Sequence, residues 1–526
     1  MTSARTIEEI GQVRRPAIAR TTTGKRVKRF RSTRSDRTAL RVVTPAVAMT
    51  HRWASSMSHG IQLLLFFVYL FQLAWNGEAA AASAASSSRG RSKVCIVGAG
   101  PTGIAAAKAF ADYRDEFDIV VFDRNSDVGG LWIYTDSQDL DEHNLPVHSS
   151  MYYNLRTNLP KDLMSYPDYR QFSGENRSCV SHKTIVQYLR NYTDYFDLRG
   201  YMKFDTLVEK IRPIVGGSDD WRTTRWSIKT RDLNSNESAE TTCNAVVVCN
   251  GHYTKPRVPQ IPGIESFPGL VMHSHIYRYP QEFAGKNVLV LGAAVSGIDI
   301  SIDISRYARR VYLSHNKDRI KSQLPLNIVQ VPGVASVNGS IFTLRDNSTV
   351  KVDAVLFCTG YVYDLPFLDE SSGLKIDDNY VKPLYKYMLN GEHPSMAFVG
   401  LALDVALFPL VDVQTKYFVA LMRDKVKLPG REVRLAESLP KAKQGDQLSE
   451  KEKKYAHALG AKQWAYQQQL AQEADFEAPP DFYRQAYNMW SAYRKTDLLH
   501  YKDGMLRVNK NGAIEIIHPA YKQFEV

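Results

Sequence analysis

From Lys93 onward the apolar positions come in short unbroken runs, not in alternation. The runs are Val94–Val97, Ile119–Phe122, Ala245–Cys249, Val288–Leu291, Val311–Ser314, Ala354–Cys358 and Ala397–Val399. A strand with one wet face alternates apolar and polar residues, whereas a strand covered on both faces reads as a continuous β-rich run. Helix-period segments lie between the runs, so the pattern predicts an α/β protein with parallel sheets. The last hundred residues differ: 449–478 are charged and helical, Pro479-Pro480 interrupts, and a Tyr/Trp-rich helix is predicted beyond. No repeat of 20–50 residues is visible, which excludes solenoids and propellers.

One apolar run stands apart. Ile61 to Trp75 is 15 residues long and contains Gln62 and Gln72. A membrane-spanning helix needs about 20 apolar residues, so this length suits the core of a signal peptide. Small residues follow from Ala79 to Ala85. Translation from Met49 or Met57 would give an ordinary signal peptide, and the secretory pathway (endoplasmic reticulum or secretion) is the expected destination. In a longer form, residues 61–75 would act as a short membrane anchor, or residues 1–48 would read as an Arg-rich transit peptide. Five N-x-[ST] sequons, at Asn176, Asn191, Asn236, Asn338 and Asn347, fit a secretory route but do not require it. No apolar tail closes the chain.

The chain has 526 residues, 44% of them hydrophobic and 23% charged, which excludes a disordered or collagen-like protein. The net charge of +12 is unevenly placed. Residues 1–60 carry 13 Lys/Arg against three acids, so the remainder is nearly neutral. A basic tail before a neutral body is not a nucleic-acid-binding surface, and no nucleic-acid partner is expected. The five cysteines contain no C-x-x-C, which excludes a dithiol redox centre. Cys95, Cys249 and Cys358 lie in apolar runs and read as inert core thiols. Cys179 and Cys243 could pair in an oxidising compartment, on which their spacing is silent.

Two segments carry chemistry. The first is a strand, the loop Gly98-Ala99-Gly100-Pro101-Thr102-Gly103 and an Ala-rich helix. This is G-x-G-x-x-G: Gly98 for the tight turn, Gly100 for close approach of the backbone to a pyrophosphate, Gly103 for helix–strand packing. The anion would sit on the helix N-terminus. Asp123 ends the next strand 20 residues after Gly103, where an acid binds a ribose hydroxyl. The second segment, Gly292-Ala-Ala294-Val-Ser296-Gly297-Ile298-Asp299, repeats the pattern with Ala294 at the middle glycine. Its following strand ends in Ser314, with Lys317 and Arg319 beyond and no acid at the strand end. Donors and cations there suit a 2′-phosphate, hence NADP. The two loops begin 194 residues apart.

Five further segments, with these two, resemble the flavin-containing monooxygenase family. Phe267-Pro-Gly269-Leu-Val-Met-His273-Ser-His275-Ile-Tyr277 fits F-x-G-x-x-x-H-x-x-x-[YF], the family's identifying motif. The related Baeyer–Villiger enzymes place Trp at the last position. Gly129-Gly130-Leu131-Trp132 is similar to the family's G-G-x-W segment, and Thr157-Asn158-Leu-Pro160-Lys161 to its T-N-x-P-K segment. Cys358-Thr-Gly360-Tyr361 resembles [AC]-T-G-Y. Pro394 to Gly400, with Gln414 beyond, resembles the strand that returns to the flavin. The resemblance covers about residues 92–430 and looks most like the insect-type members.

The resemblance implies two Rossmann-like domains, the NADPH-binding one inserted into the FAD-binding one. The expected boundaries are 1–60 for the basic extension, 61–91 for the signal or anchor and linker, 92–250 for the first part of the FAD domain, 251–345 for the insert, 346–430 for the FAD domain's return, and 431–526 for a C-terminal helical segment. It implies FAD and NADPH as cofactors and a small lipophilic amine or thioether with O2 as substrates, oxygenated through a C4a-hydroperoxyflavin. Gly130, Leu131, Trp132, Thr157, Asn158, Gly360, Gly400 and Gln414 join the two loops as expected cofactor contacts. Asn158 is the expected catalytic residue, beside the flavin and nicotinamide; its alternative role is a turn residue before Pro160. No metal is expected: His273 and His275 lack Cys or carboxylate neighbours in sequence, and His273 is expected to brace the two domains. A Baeyer–Villiger ketone oxygenase, an uncoupled NADPH oxidase and a non-catalytic flavin- or NADP-binding protein stay open as alternatives.

Overall fold

The computed structural model describes residues 90–518 apart from 173, 175, 217–219, 439–447 and 510. The basic extension, the apolar run 61–75 and both candidate start residues lie outside the described residues. Among the described residues no helix is long and apolar enough to cross a membrane.

All seven predicted strands form, with ends shifted by one or two residues. Ser92–Val97 is central in a seven-stranded sheet, flanked in parallel by Phe117–Phe122 and Ala245–Val248. Met396–Phe398 returns parallel to Ala245–Val248. A second, five-stranded sheet is parallel throughout, in the order Ile328–Val331, Arg310–Ser314, Asn287–Leu291, Ala354–Phe357, Leu270–His273. The helices are α1 (Pro101–Ala111), α2 (His182–Tyr195), α3 (Val295–Ser305), α4 (Leu407–Met422), α5 (Arg431–Glu437), α6 (Glu450–Lys454), α7 (Gln463–Glu473) and α8 (Phe482–Thr496).

The unbroken apolar runs have a direct cause. Along Ser92–Val97, Val94 and Ile96 pack into the core formed with α1, α2 and α4. Their neighbours Cys95 and Val97 pack on the opposite face, against Trp226 and Ile228 of an antiparallel meander (Thr206–Ile214, Arg225–Asp232, Ser238–Cys243). The second sheet repeats the arrangement. Val288 and Val290 meet Ile300 and Ile304 of α3, while Leu289 and Leu291 meet Val337 and Phe342 of the meander Val334–Asn338, Ile341–Leu344, Thr349–Lys351. Each lobe thus has helix on one side of its sheet and a three-stranded meander on the other; the second sheet is parallel throughout, while the first ends in two antiparallel strands, Leu384–Tyr385 and Leu389–Asn390. The meanders were not foreseen, because their half-exposed strands carry many charged and polar residues.

Two expectations need correction. The inserted lobe runs past residue 345: Ala354–Phe357, assigned from the sequence to the FAD domain's return, pairs on both edges within the five-stranded sheet. The meander that precedes this strand packs on the same sheet and carries the boundary with it. The chain re-enters the first lobe through a two-residue ribbon, Tyr361–Val362 pairing antiparallel with the outgoing Lys255–Pro256. The cysteine assignment also changes. Cys95 is not a free core thiol but is bonded to Cys243, with Cα atoms 6.0 Å apart, and Cys179 is free and buried. The bond ties the central strand to the meander packed on it. Strand alternation places Cys95 on that face, which an apolar run by itself does not reveal.

Candidate functional site

The two glycine loops are built alike. Gly98 has φ +102° and its N–H donates to the Phe122 carbonyl; Gly292 has φ +106° and donates to the Ser314 carbonyl. A Cβ on Gly98 would lie 2.5 Å from the Cys249 carbonyl oxygen, and one on Gly292 would lie 2.4 Å from that of Cys358. A Cβ on Gly103 or on Gly297 would fall 1.7 Å from the carbonyl oxygen of the first glycine of its loop. These four positions hold glycine because the helix starts against a neighbouring strand end with no room for a methyl group. Cys249 and Cys358 are the residues at those strand ends, and burial pushes both thiols up to about 12. Packing is their role.

The middle position is different. Gly100 (φ −75°, ψ −173°) and Ala294 (φ −90°, ψ −164°) share an extended conformation open to any residue. A Cβ on Gly100 would meet only Gly130, at 3.6 Å. Ala294 therefore strains nothing in its own loop. Neither α1 nor α3 has a side-chain cap or an acid in its first turn. Their first-turn N–H groups remain for an anion, as a pyrophosphate requires. By contrast α2 is capped by Ser181, and α6 by a Ser449–Glu452 capping box.

The surroundings of the two loops diverge. Around the first, the Gly129 N–H donates to the Ala99 carbonyl, and the short helix Gly130–Trp132 lies beside Gly100. Gly400, at φ +74°, presses on Thr102, where a Cβ would meet Cγ2 at 2.5 Å. Its N–H is held by Gln414 Oε1 at 2.9 Å, so Gln414 supports the loop from behind. Ala99, Gly100, Pro101, Thr102 and Gly103 are all buried. Asp123 is buried as well: one carboxylate oxygen accepts the Ala99 N–H, the other the Asn125 N–H, and burial raises its pKa. Around the second loop, Ala294, Val295 and Ser296 are exposed, as are Lys317 and Arg319, while Ile298 is half-buried. Ser314 is buried and gives its hydroxyl to the Pro332 carbonyl at 2.8 Å.

The remaining expected residues sit where the lobes meet. Thr157 is buried; its hydroxyl donates to the Leu159 carbonyl at 2.8 Å and accepts the Val180 N–H at 3.1 Å. That fixes the turn carrying Asn158, whose side chain is half-buried and whose carbonyl accepts from Trp490 Nε1 at 3.1 Å. Asp299 does not face the second loop alone: Tyr152 and Lys502 both donate to its carboxylate. His273 grips the Gly360 carbonyl through Nε2 at 3.1 Å and accepts the His275 N–H on Nδ1. Burial lowers its pKa to about 4, so it stays neutral at neutral pH. His275 Nε2 meets the Val147 carbonyl at 3.0 Å.

The long sequence motif acquires a physical meaning here. The Phe267 ring packs on Phe342, and Gly269 lies where a Cβ would be 2.4 Å from both that ring and the Asp353 carbonyl. The buried Tyr277 donates its hydroxyl to Asp303 of α3 at 2.7 Å. The motif is an architectural splice between the edge strand, the return crossing and α3. Three functional residues were missed. Arg278 is fully buried and donates to the carbonyls of Thr135, Ser137, Ser149, His275 and Tyr277, locking the 135–149 segment onto the motif. Lys454 of α6 reaches the Thr359 carbonyl; burial lowers its pKa, and nearby Arg257 and Lys317 lower it further. Trp490 secures the Asn158 turn. The lone basic residue after the Tyr of the motif was a readable signal for Arg278. The other two lie far away in sequence and gave none.

The chain matches a flavin-binding monooxygenase-like family model over residues 91–324 and 315–482. The chain belongs to the flavin-containing monooxygenase family. A flavin-containing monooxygenase of Arabidopsis thaliana, FMO GS-OX-like 4, is 32% identical over 437 residues, covering 78% of this chain and 93% of that protein. Among solved structures, the S-allyl-L-cysteine S-oxygenase from Allium sativum superposes with a TM-score of 0.70 at 30% identity, over 79% of this chain and 95% of that one. Tmm from Pelagibacter sp. strain HTCC7211 gives 0.69 at 26% identity, over 81% and 97%. The chain is a flavin-dependent monooxygenase, and its enclosed first loop, uncapped helix and buried Asp123 fit the binding of a flavin cofactor.

Two substitutions separate packing from ligand approach in the first loop. Gly103→Ala drives a methyl group into the Gly98 carbonyl and should destabilise by more than about 3 kcal/mol, read as loss of cooperative thermal unfolding. Gly100→Trp starts its side chain toward Gly130 in the enclosed space beside the loop, so the purified protein should emerge colourless. Stoichiometric flavin in purified Gly100→Trp would contradict the assignment of this loop.

Proposed function

We propose that this monooxygenase takes its electrons from NADPH and transfers one oxygen atom of O2 to a soft nucleophilic sulfur or nitrogen of a small lipophilic compound. The observation that carries the reading is the contrast between two otherwise equal loops. The first is buried and covered by the Gly130–Trp132 helix and Gly400, which suits a resident FAD. The second opens to solvent, which suits a co-substrate that must enter and leave at every turnover. Lys317, Arg319 and Lys454 supply cations near it, and Arg310–Ser314 ends without an acid, which favours a 2′-phosphate. The similarity to an S-oxygenase over most of both chains supports a thioether as the first substrate class to test.

A bound flavin would supply the redox chemistry that activates dioxygen. The chain's residues provide the rest. The uncapped first-turn N–H groups of α1 and α3 would each hold a pyrophosphate. Asp123 keeps acceptor capacity for a ribose hydroxyl. Asn158 can both donate and accept, on a turn whose backbone is pinned by Thr157, Val180 and Trp490. It would hold the nicotinamide side of the site closed to water, which matters to oxygen transfer more than to hydride transfer.

Removing the loop cations, Lys317→Ala with Arg319→Ala, should raise KM for NADPH at least tenfold more than KM for NADH, since each lost charge-assisted contact is worth about 1.5–3 kcal/mol. Equal changes for both nucleotides would refute phosphate recognition there.

The function itself is tested by following NADPH oxidation, peroxide and product with a thioether, a tertiary amine and a ketone. Sulfoxide or N-oxide formed in step with NADPH is expected; lactone or ester from the ketone would favour the Baeyer–Villiger reading, and peroxide alone an oxidase. Asn158→Ala should keep its flavin and oxidise NADPH at a fair rate, with product falling roughly ten- to hundredfold in favour of peroxide, as loss of one hydrogen bond to a charged group implies. Unchanged coupling would make Asn158 a turn residue only.

We further propose that the chain matures in the secretory pathway. The Cys95–Cys243 bond supports an oxidising compartment. Four sequon asparagines, Asn176, Asn236, Asn338 and Asn347, are exposed and Asn191 is half-buried; Asn236 and Asn347 occupy turns at φ +61° and +65°. Protein made through a eukaryotic secretory route should lose mass on treatment with peptide-N-glycosidase and show three free thiols when denatured. Five free thiols and no glycan would exclude this route.

A further inference from the structure

The inserted lobe is joined covalently to the first lobe only through the paired crossings Lys255–Pro256 and Tyr361–Val362. A second junction is non-covalent and lies on α3. There Asp299 and Asp303 accept hydrogen bonds from Tyr152 and Asn154, which belong to the segment leading to the Asn158 turn. The C-terminal segment completes this junction. Lys502 donates to Asp299 Oδ1 at 2.5 Å and to the Arg156 carbonyl at 3.0 Å, so one ammonium bridges both lobes. Arg156 in turn pairs with Asp503 at 2.7 Å and donates to the carbonyls of Lys502 and Cys179.

The same segment is anchored on either side. Leu498 N–H donates to Ser322 Oγ of the inserted lobe at 2.9 Å, and Leu506 N–H to Ser178 Oγ of the first lobe at 2.8 Å. Trp490 of α8 holds the Asn158 carbonyl. The side chains of Lys502 and Asp299 are only 13% and 22% exposed, so water weakens their attraction less than it would a surface pair. Trp490, Lys502 and Asp503 all lie beyond residue 482, where the family match ends.

We propose that residues 498–506 form an electrostatic latch across the two lobes, with Lys502 the positioning residue that sets α3 against the turn carrying Asn158. The latch fixes the distance between the helix that starts at the second glycine loop and the side chain proposed to guard oxygen transfer. Its effect on coupling rests on the NADPH-dependent reading above; its effect on the geometry does not.

Amide hydrogen exchange of the flavin-loaded protein, without NADPH or substrate, tests the geometry directly. Lys502→Met should speed exchange about tenfold both in 152–158 and in the first turns of α3, segments that open locally once their tie is lost. Lys502→Arg should restore slow exchange, and about 0.5 M salt should move wild type part-way towards the Met variant, since an ion pair is screened whereas packing is not. At equal flavin content, Lys502→Met should also raise KM for NADPH and the peroxide fraction severalfold, while kcat for NADPH oxidation changes little. If Lys502→Met does not fold, Asp503→Asn, which removes the Arg156 pair, serves in its place. Exchange as slow as wild type in either segment would overturn the latch. Faster exchange with unchanged peroxide would overturn its positioning role. Wild type that does not use NADPH at all would count against the reaction, and the exchange result would stand unaffected.

Discussion

Gly98 and Gly103 allow α1 to begin in van der Waals contact with the carbonyl end of the strand Ala245–Val248, and Gly292 and Gly297 do the same for α3 against Ala354–Phe357. This contact governs both lobes. It turns the chain sharply at the strand end and points an uncapped helix terminus at the crevice above the sheet, where open α/β sheets bind their ligands. A side chain at any of the four positions would lift the helix away and close that space. Each sheet then needs cover on its other face, and the two meanders provide it. The Cys95–Cys243 bond and the buried Trp226 belong to the cover of the first sheet.

What separates the loops is their surroundings. The first is enclosed by Gly130–Trp132 and Gly400, the latter held by Gln414. The second is open, with Lys317 and Arg319 just beyond the neighbouring strand and Lys454 arriving from α6. One loop pattern thus gives one site suited to retention and another suited to exchange.

The side chains of the identifying motif, F-x-G-x-x-x-H-x-x-x-Y, act on the framework of the inserted lobe. Phe267, Gly269, His273 and Tyr277 knit the edge strand of the inserted lobe to the return crossing and to α3. Arg278 adds five bonds to carbonyl oxygens, three of them in residues 135–149, and so extends the knot to that segment. These contacts set how the two lobes face each other. Lys502 and Trp490 add to that junction from the far end of the chain.

The sequence by itself determined the strands, both dinucleotide loops and the family, because each is local. A run buried on both faces, a glycine that must lack a Cβ and an acid at a strand end leave their mark within about thirty residues. The family resemblance also pointed to Asn158, and the structure shows its turn tied by Thr157, Val180 and Trp490. Tertiary structure alone decided the partner of Cys95, the true end of the inserted lobe, and the use of Ser314, Gln414 and Asp299 as internal ties. It alone brought Lys454 to the open loop and Lys502 across the lobes. Those outcomes depend on which face of a strand or helix meets which distant segment, and a one-residue shift in register or a few degrees in lobe orientation would change them without altering any local pattern.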